Sequence, residues 1–227
     1  MTSETERAQT KRKTRSLRKY EAEAFAQVDA GEAPPLELFS PFGPLIARAV
    51  MPLDLIARLN AFADGHVRAR EGTEFLLPKD IVAEGGGASL ARQTERLIAR
   101  YVQRMEGAAV SRITIDAFWI VSQYAGTPSP VHFHSGDISG VMYLKVPIID
   151  REDDEEQKTY ISGRHAGHIN FLIGGKQRFS KSLISFKPGV GDFYVFPGWL
   201  LHGAEPFRGS GERRSLAFNA FVEVAEA

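Results

Sequence analysis

The chain has 227 residues, of which 43% are hydrophobic, and its 28 basic side chains are balanced by 28 acidic ones. Net neutrality removes the electrostatic case for nucleic acid or another polyanion as partner. The absence of cysteine excludes disulfides, thiolate metal sites and a cysteine nucleophile, so a metal would have to be held by His, Asp or Glu.

Residues 1–35 are polar and charged and end in "GEAPP". They read as a flexible basic arm with a short helix around Arg15 to Ala30. The basic stretch at residues 11–19 has no apolar core behind it, as a secretory signal would need. The apolar run from Phe42 to Leu59 is broken by Pro44, Arg48, Pro52, Asp54 and Arg58, so it does not read as a membrane span. The expected location is the cytoplasm.

Residues 36–227 read as a single domain. "LELFSPFGPLIARAV" (36–50) carries Pro41, Gly43 and Pro44 among apolar residues, which suits a strand leading into it and not a helix. Helical elements are expected from about 50 to 107. Leu55, Ile56, Leu59, Phe62 and Ala63 make one stripe, with Pro52 near its start. Leu90, Thr94, Leu97, Ile98, Tyr101 and Met105 make a second, with Ser89 as candidate cap and Gly107 as stop.

The pattern changes at residue 110. "SRITIDAFWIVSQYAG" (111–126) alternates and is rich in β-branched and aromatic residues. "SGVMYLKVPII", "GHINFLIG", "KSLISFKP", "GDFYVFPGWLLH" and "RRSLAFNAFVEV" are further strands between Gly and Pro turns. The acidic segment Asp150–Lys158 reads as a solvated loop. The fold class is therefore mainly β with N-terminal helices, closing as a sandwich or barrel.

Six histidines are present. His66 follows a helix and reads as structural, and His165 and His168 carry little signal. His132 and His134 differ, because residues i and i+2 on an extended segment point to one face, where two imidazoles can share one ion. His202 ends a strand some seventy residues on, and a barrel can carry such a strand across to supply a third ligand. Three imidazoles, or two with a carboxylate, leave coordination positions open on Fe(II). On the last strand Arg213 and Ser215 share a face, while Arg214, Leu216 and Phe218 share the other. Arginine with a hydroxyl two residues on can receive a carboxylate; a structural salt bridge is the competing reading. Trp119, Phe133, Phe196 and Trp199 are candidates for a pocket lining, though strand aromatics more often fill cores.

His132 and His134, then SGVMYL (139–144), FPGWLLH (196–202) and RRSLAFN (213–219) come in the order and spacing of the Fe(II)/2-oxoglutarate-dependent oxygenases. The chain resembles that superfamily from Ile113 to Val222. More narrowly, it resembles its branch of bacterial and phage oxygenases with HxH, SGVxYL, FPxWLxH and RxSxAFN. The resemblance implies a double-stranded β-helix (jelly roll, cupin-like) with helices packed on one sheet. It implies Fe(II) and 2-oxoglutarate as cofactors, and oxidative decarboxylation of 2-oxoglutarate coupled to hydroxylation of a substrate carbon. His132 matches the first metal ligand and His202 the distal one. Arg213 and Ser215 match the pair that holds the distal carboxylate of 2-oxoglutarate, and Tyr143 matches a position that adds a hydroxyl to it.

His134 departs from the wider pattern, which has Asp or Glu there. Either His134 ligates directly, or Asp137 swings in, or an exogenous ligand fills the place. Two other functions compete: a cupin-like three-histidine metalloprotein that does not use 2-oxoglutarate, and a β-sandwich binding module that has kept only the fold. No motif identifies the substrate, small or macromolecular, and none points to nucleic acid or membrane.

Overall fold

The computed structural model describes residues 36–39, 43–67, 73–127, 129–149, 165–175, 178 and 181–225. The expected N-terminal arm and the acidic loop lie outside them. The strand expected over residues 36–50 is two strands, β1 (Leu36–Phe39) and β2 (Ile46–Val50), paired antiparallel from Leu36↔Ala49 to Phe39↔Ile46. Pro44 between them has no N–H to donate to a ladder, and the chain turns back on itself.

Helix α1 (Leu53–Asp64) begins directly after Pro52, whose fixed φ suits that position. A strand and a short helix that the periodicity does not announce follow: β3 (Thr73–Leu76) and α2 (Lys79–Ala83). Helix α3 (Leu90–Glu106) is capped as its sequence predicts. Ser89 Oγ accepts the Arg92 N–H, and Gly107 closes the helix at φ 70°, where a side chain would be strained. Its buried stripe takes in Gln93 and Val102, while Met105 in the last turn projects into solvent.

The remaining elements are strands: β4 (Val110–Gln123), β5 (Ile138–Lys145), β6 (Ile148–Ile149), β7 (Ile169–Leu172), β8 (Leu183–Phe186), β9 (Asp192–Pro197), β10 (Leu201–Ala204), β11 (Gly209–Ser210) and β12 (Arg213–Val224). They form an antiparallel sheet of seven in the order β1-β2-β9-β5-β12-β4-β3 and one of three in the order β10-β7-β8, with β6 and β11 as a ribbon. The architecture is a jelly roll with its helices on one sheet.

Alternation along the strands divides the core in two. Phe118 and Ile120 of β4, Met142 and Leu144 of β5, and Leu216 and Phe218 of β12 face the helices. There they meet Leu55, Ile56 and Leu59 of α1 and Leu97, Ile98 and Tyr101 of α3. Burying each such side chain contributes about 1.5–3 kcal/mol, so this cluster anchors the large sheet. Tyr143, Tyr194, Phe196, Phe171 and Ile169 form the second cluster, between the two sheets. The opposite residues of the large sheet, among them Trp119, Val121, Gln123, Arg213 and Ser215, line a cavity. No helix among the described residues is long and apolar enough to cross a membrane.

Candidate metal centre

His132 and His202 form an isolated antiparallel bridge in which each N–H donates to the other's carbonyl at 2.9 Å. Residues directly opposite in such a pair carry their side chains on one face. The His134 N–H continues the contact with the Gly198 carbonyl at 2.9 Å, and its ring returns to the same face two residues on. The ring centroids lie 4.9 Å (132–134), 4.5 Å (132–202) and 5.2 Å (134–202) apart. One nitrogen from each falls within a set spanning 4.8 Å, the one such His/Asp/Glu cluster among the described residues. Gly198 permits this approach: a Cβ there would collide with the Gly136 carbonyl oxygen.

Two of the rings have their tautomer set by the backbone. His132 Nδ1 lies 2.9 Å from the Pro130 carbonyl and His202 Nδ1 lies 2.8 Å from that of Leu200. A carbonyl only accepts, so Nδ1 carries the proton in each and Nε2 keeps its lone pair for an ion. Exposure grades across the cluster: His132 is exposed, His134 half-buried and His202 buried. Burial, reinforced by the other two histidines, lowers His202 from 6.5 to about 4, against the pull of its Leu200 hydrogen bond. Burial and His132 lower His134 as well. Neutral imidazole is the form that ligates. The Phe196 ring lies 4.6 Å from that of His202, and Trp119 stands edge-on to His134 at 5.8 Å.

A cavity of about 100 Å³ is lined by the three histidines together with Arg213, Ser215 and Tyr143. Ser215 and Tyr143 lie directly opposite each other on β12 and β5. Burial, with Asp192, raises the Tyr143 phenol, and the opposing pull of Arg213 does not reverse it, so the hydroxyl stays a neutral donor. Arg213 is 1% exposed. Its Nε and Nη2 donate to Gln123 Oε1 at 3.0 and 2.7 Å, and its Nη1 donates to the Glu205 carbonyl at 2.7 Å. The guanidinium lies 5.6 Å from the centre of the Phe207 ring. These neighbours are neutral, and among the described residues no carboxylate oxygen lies within ion-pair distance of Arg213. Burial pulls its pKa down, while Tyr143 and Glu205 pull it up by less. A buried cation without a counter-ion is costly. Among the described residues three of its five N–H groups find acceptors, which leaves one on each terminal nitrogen.

The structure thus brings together His132, His134, His202, Arg213, Ser215 and Tyr143. Asp137 is not among them: it is exposed, and its Oδ2 accepts the Val222 N–H at 2.9 Å on β12. His165 and His168 pair with each other, Nδ1 to Nδ1 at 3.3 Å, and stay out of the cluster. His66 binds the Phe62 carbonyl and stacks on Phe75. Of the four aromatic candidates only Trp119 lines the cavity. Phe133 and Trp199 point into solvent, since alternation turns Phe133 away from its flanking histidines, and Phe196 fills the inter-sheet core. Gln123 is the residue sequence reasoning missed. Its signal is a polar side chain at the end of a strand, two and four residues after Val121 and Trp119 on the same face.

Residues 117–219 match the family described as "Putative 2OG-Fe(II) oxygenase". Several solved structures are similar. A prolyl-4-hydroxylase from Pseudomonas putida is 13% identical at a TM-score of 0.49, over 80% of this chain and 93% of its own. The viral collagen prolyl hydroxylase of Paramecium Bursaria Chlorella virus-1 is 14% identical at 0.47, over 90% and 100%. A 2OG-Fe(II) family oxidoreductase from Burkholderia pseudomallei is 17% identical at 0.42, over 85% and 75%. No curated protein sequence matches the chain. The matched segment is somewhat less than half of the chain; it runs from within β4 to within β12 and contains all six residues that the structure brings together.

Proposed function

We propose that His132, His134 and His202 hold Fe(II), and that Arg213, with Ser215 and Tyr143, receives the distal carboxylate of 2-oxoglutarate. The reaction is oxidative decarboxylation of 2-oxoglutarate coupled to hydroxylation of a substrate carbon. The observation that carries this reading is the buried Arg213, whose guanidinium, among the described residues, donates only to neutral acceptors. It fits a ligand that arrives with a carboxylate. The donor set also fits: two of the three imidazoles have Nε2 free by tautomer, and burial keeps His202 and His134 neutral.

Bound there, Fe(II) and 2-oxoglutarate supply the oxidising chemistry. The chain's own part is to aim three neutral imidazoles at one point and fix the far end of the cosubstrate. Trp119 and Phe196 keep water away. The small cavity suits the cosubstrate, so the substrate approaches from the exposed His132 side. The cytoplasmic location expected from sequence belongs to this reading too. A three-histidine enzyme indifferent to 2-oxoglutarate would leave Arg213 without a ligand. A binding module that kept only the fold would have no use for two backbone-set tautomers.

Anaerobic titration of the Fe(II)-loaded protein with 2-oxoglutarate tests the reading. A weak visible charge-transfer band is expected. Bound iron with no band overturns it.

A further inference from the structure

Gln123 and Arg213 face each other directly across the β4–β12 ladder, and both are buried. One oxygen, Gln123 Oε1, takes two N–H groups along the Nε–Nη2 edge of the guanidinium. The Glu205 carbonyl takes a third on Nη1. The long arginine side chain is thereby held in one arrangement before any ligand arrives, which removes an ordering cost from binding. Among the described residues one N–H is left over on each terminal nitrogen, available to an incoming carboxylate.

The neutrality of the holder matters as much as its position. A glutamate has the length of a glutamine and could accept the same two bonds, as Glu212 does for the adjacent Arg214. It would also cancel the charge that an incoming carboxylate needs to meet. We propose that Gln123 is a positioning residue that fixes Arg213 while sparing its charge, so that the cavity selects a 2-oxo dicarboxylate over a 2-oxo monocarboxylate. The inference rests on the clamp reading above and goes beyond it in assigning the selectivity to the residue that holds the arginine.

Calorimetric titration of the Mn(II)-loaded protein, which does not turn over, tests it with two ligands. 2-Oxoglutarate and 2-oxobutyrate share the chelating 2-oxo acid end, and only the first carries a second carboxylate. Wild type is expected to prefer 2-oxoglutarate. Gln123→Glu weakens 2-oxoglutarate by about tenfold or more and leaves 2-oxobutyrate and Mn(II) binding unchanged. Damage to the metal centre would weaken both acids together, and that outcome overturns the inference, as does a full preference surviving in the variant. Should Gln123→Glu not fold, Gln123→Met removes the acceptor without adding charge. It is expected to lose part of the preference, and an unchanged preference overturns the proposal. A wild type with no preference at all overturns the clamp itself, an outcome distinct from failure of Gln123 alone.

Discussion

Arg213 and Arg214 are consecutive on β12 and equally buried, at 1% exposure each, yet they face opposite sides of the large sheet. Arg214 looks toward the helices. Its Nε and Nη2 grip Glu212 Oε1 and Oε2 at 2.6 and 2.9 Å, and its Nη1 reaches Asp64 at 2.8 Å and Asn60 Oδ1 at 3.0 Å. Burial pushes the Glu212 carboxyl up, but hydrogen bonds from Arg214 and Ser122 outweigh it and hold the group below its usual range. Hydrogen bonds from Lys145 and Arg214 do the same for Asp64. Arg213 looks into the cavity and meets an amide oxygen and a backbone carbonyl. One strand therefore carries a cation whose charge is answered within the fold and a cation whose charge is left for something else. The first ties α1 to β12; the second gives the cavity its chemistry.

The largest effects separate the two arginines. Arg214→Met strands a partly buried Glu212 and is expected to cost about 3–5 kcal/mol in urea unfolding. The variant that remains folded keeps its preference for 2-oxoglutarate over 2-oxobutyrate. Arg213→Met behaves in reverse. It removes a buried charge with no counter-ion among the described residues, so the ligand-free protein melts at or above the wild-type temperature, while 2-oxoglutarate affinity falls about 100-fold. Equal destabilisation by the two substitutions would break the comparison.

The two faces were not equally legible. Period-two alternation separates Arg213 and Ser215 from Arg214, Leu216 and Phe218 without any structure. HxH spacing puts His132 and His134 on one face for the same reason. The histidine cluster needed one more fact, that β10 lies against the HxH segment, and the motif order supplied it. Pairings set by register were beyond reach. Gln123 opposite Arg213, and Asp64 and Asn60 at the end of α1 beneath Arg214, depend on which strand lies beside which. β3 was missed because four residues carry too little periodicity. Phe133 was misjudged because its aromatic character outweighed its place between two inward-facing histidines.

The acid cost of the cavity face begins at a higher pH than that of the helix face, where the depressed Glu212 and Asp64 carboxyls start to lose stability only below about 4.5. His202 is depressed from 6.5 to about 4. Between those values the unfolded chain holds a proton that the folded one excludes, so stability is fully present above pH 6.5 and drains away as pH falls toward 4. In metal-free protein the loss from this group is about 2–3 kcal/mol. Urea unfolding of wild type and His202→Gln at pH 7 and pH 4.5 checks it, because acidification costs the variant less by that amount. Equal losses in both would mean that His202 is solvated, and the contrast between the two faces would weaken.

Asp137 supplies the smallest effect and the sharpest test of the ligand set. It is the nearest acidic residue to His134 in sequence, the reason it competes for the metal, but its carboxylate already has a donor in the Val222 N–H. That bond ties the end of the HxH segment to β12, in the same self-compensated manner as Arg214, at an exposed position. Asp137→Ala is expected to cost about 1 kcal/mol of stability and to leave Fe(II) or Mn(II) affinity at the wild-type value. His134→Ala is expected to lower that affinity about 10- to 100-fold with little change in stability. Calorimetric metal titration of both variants decides between them. Metal loss confined to Asp137→Ala would mean that the carboxylate leaves Val222 to join His132 and His202, and that the iron site is a two-histidine, one-carboxylate triad.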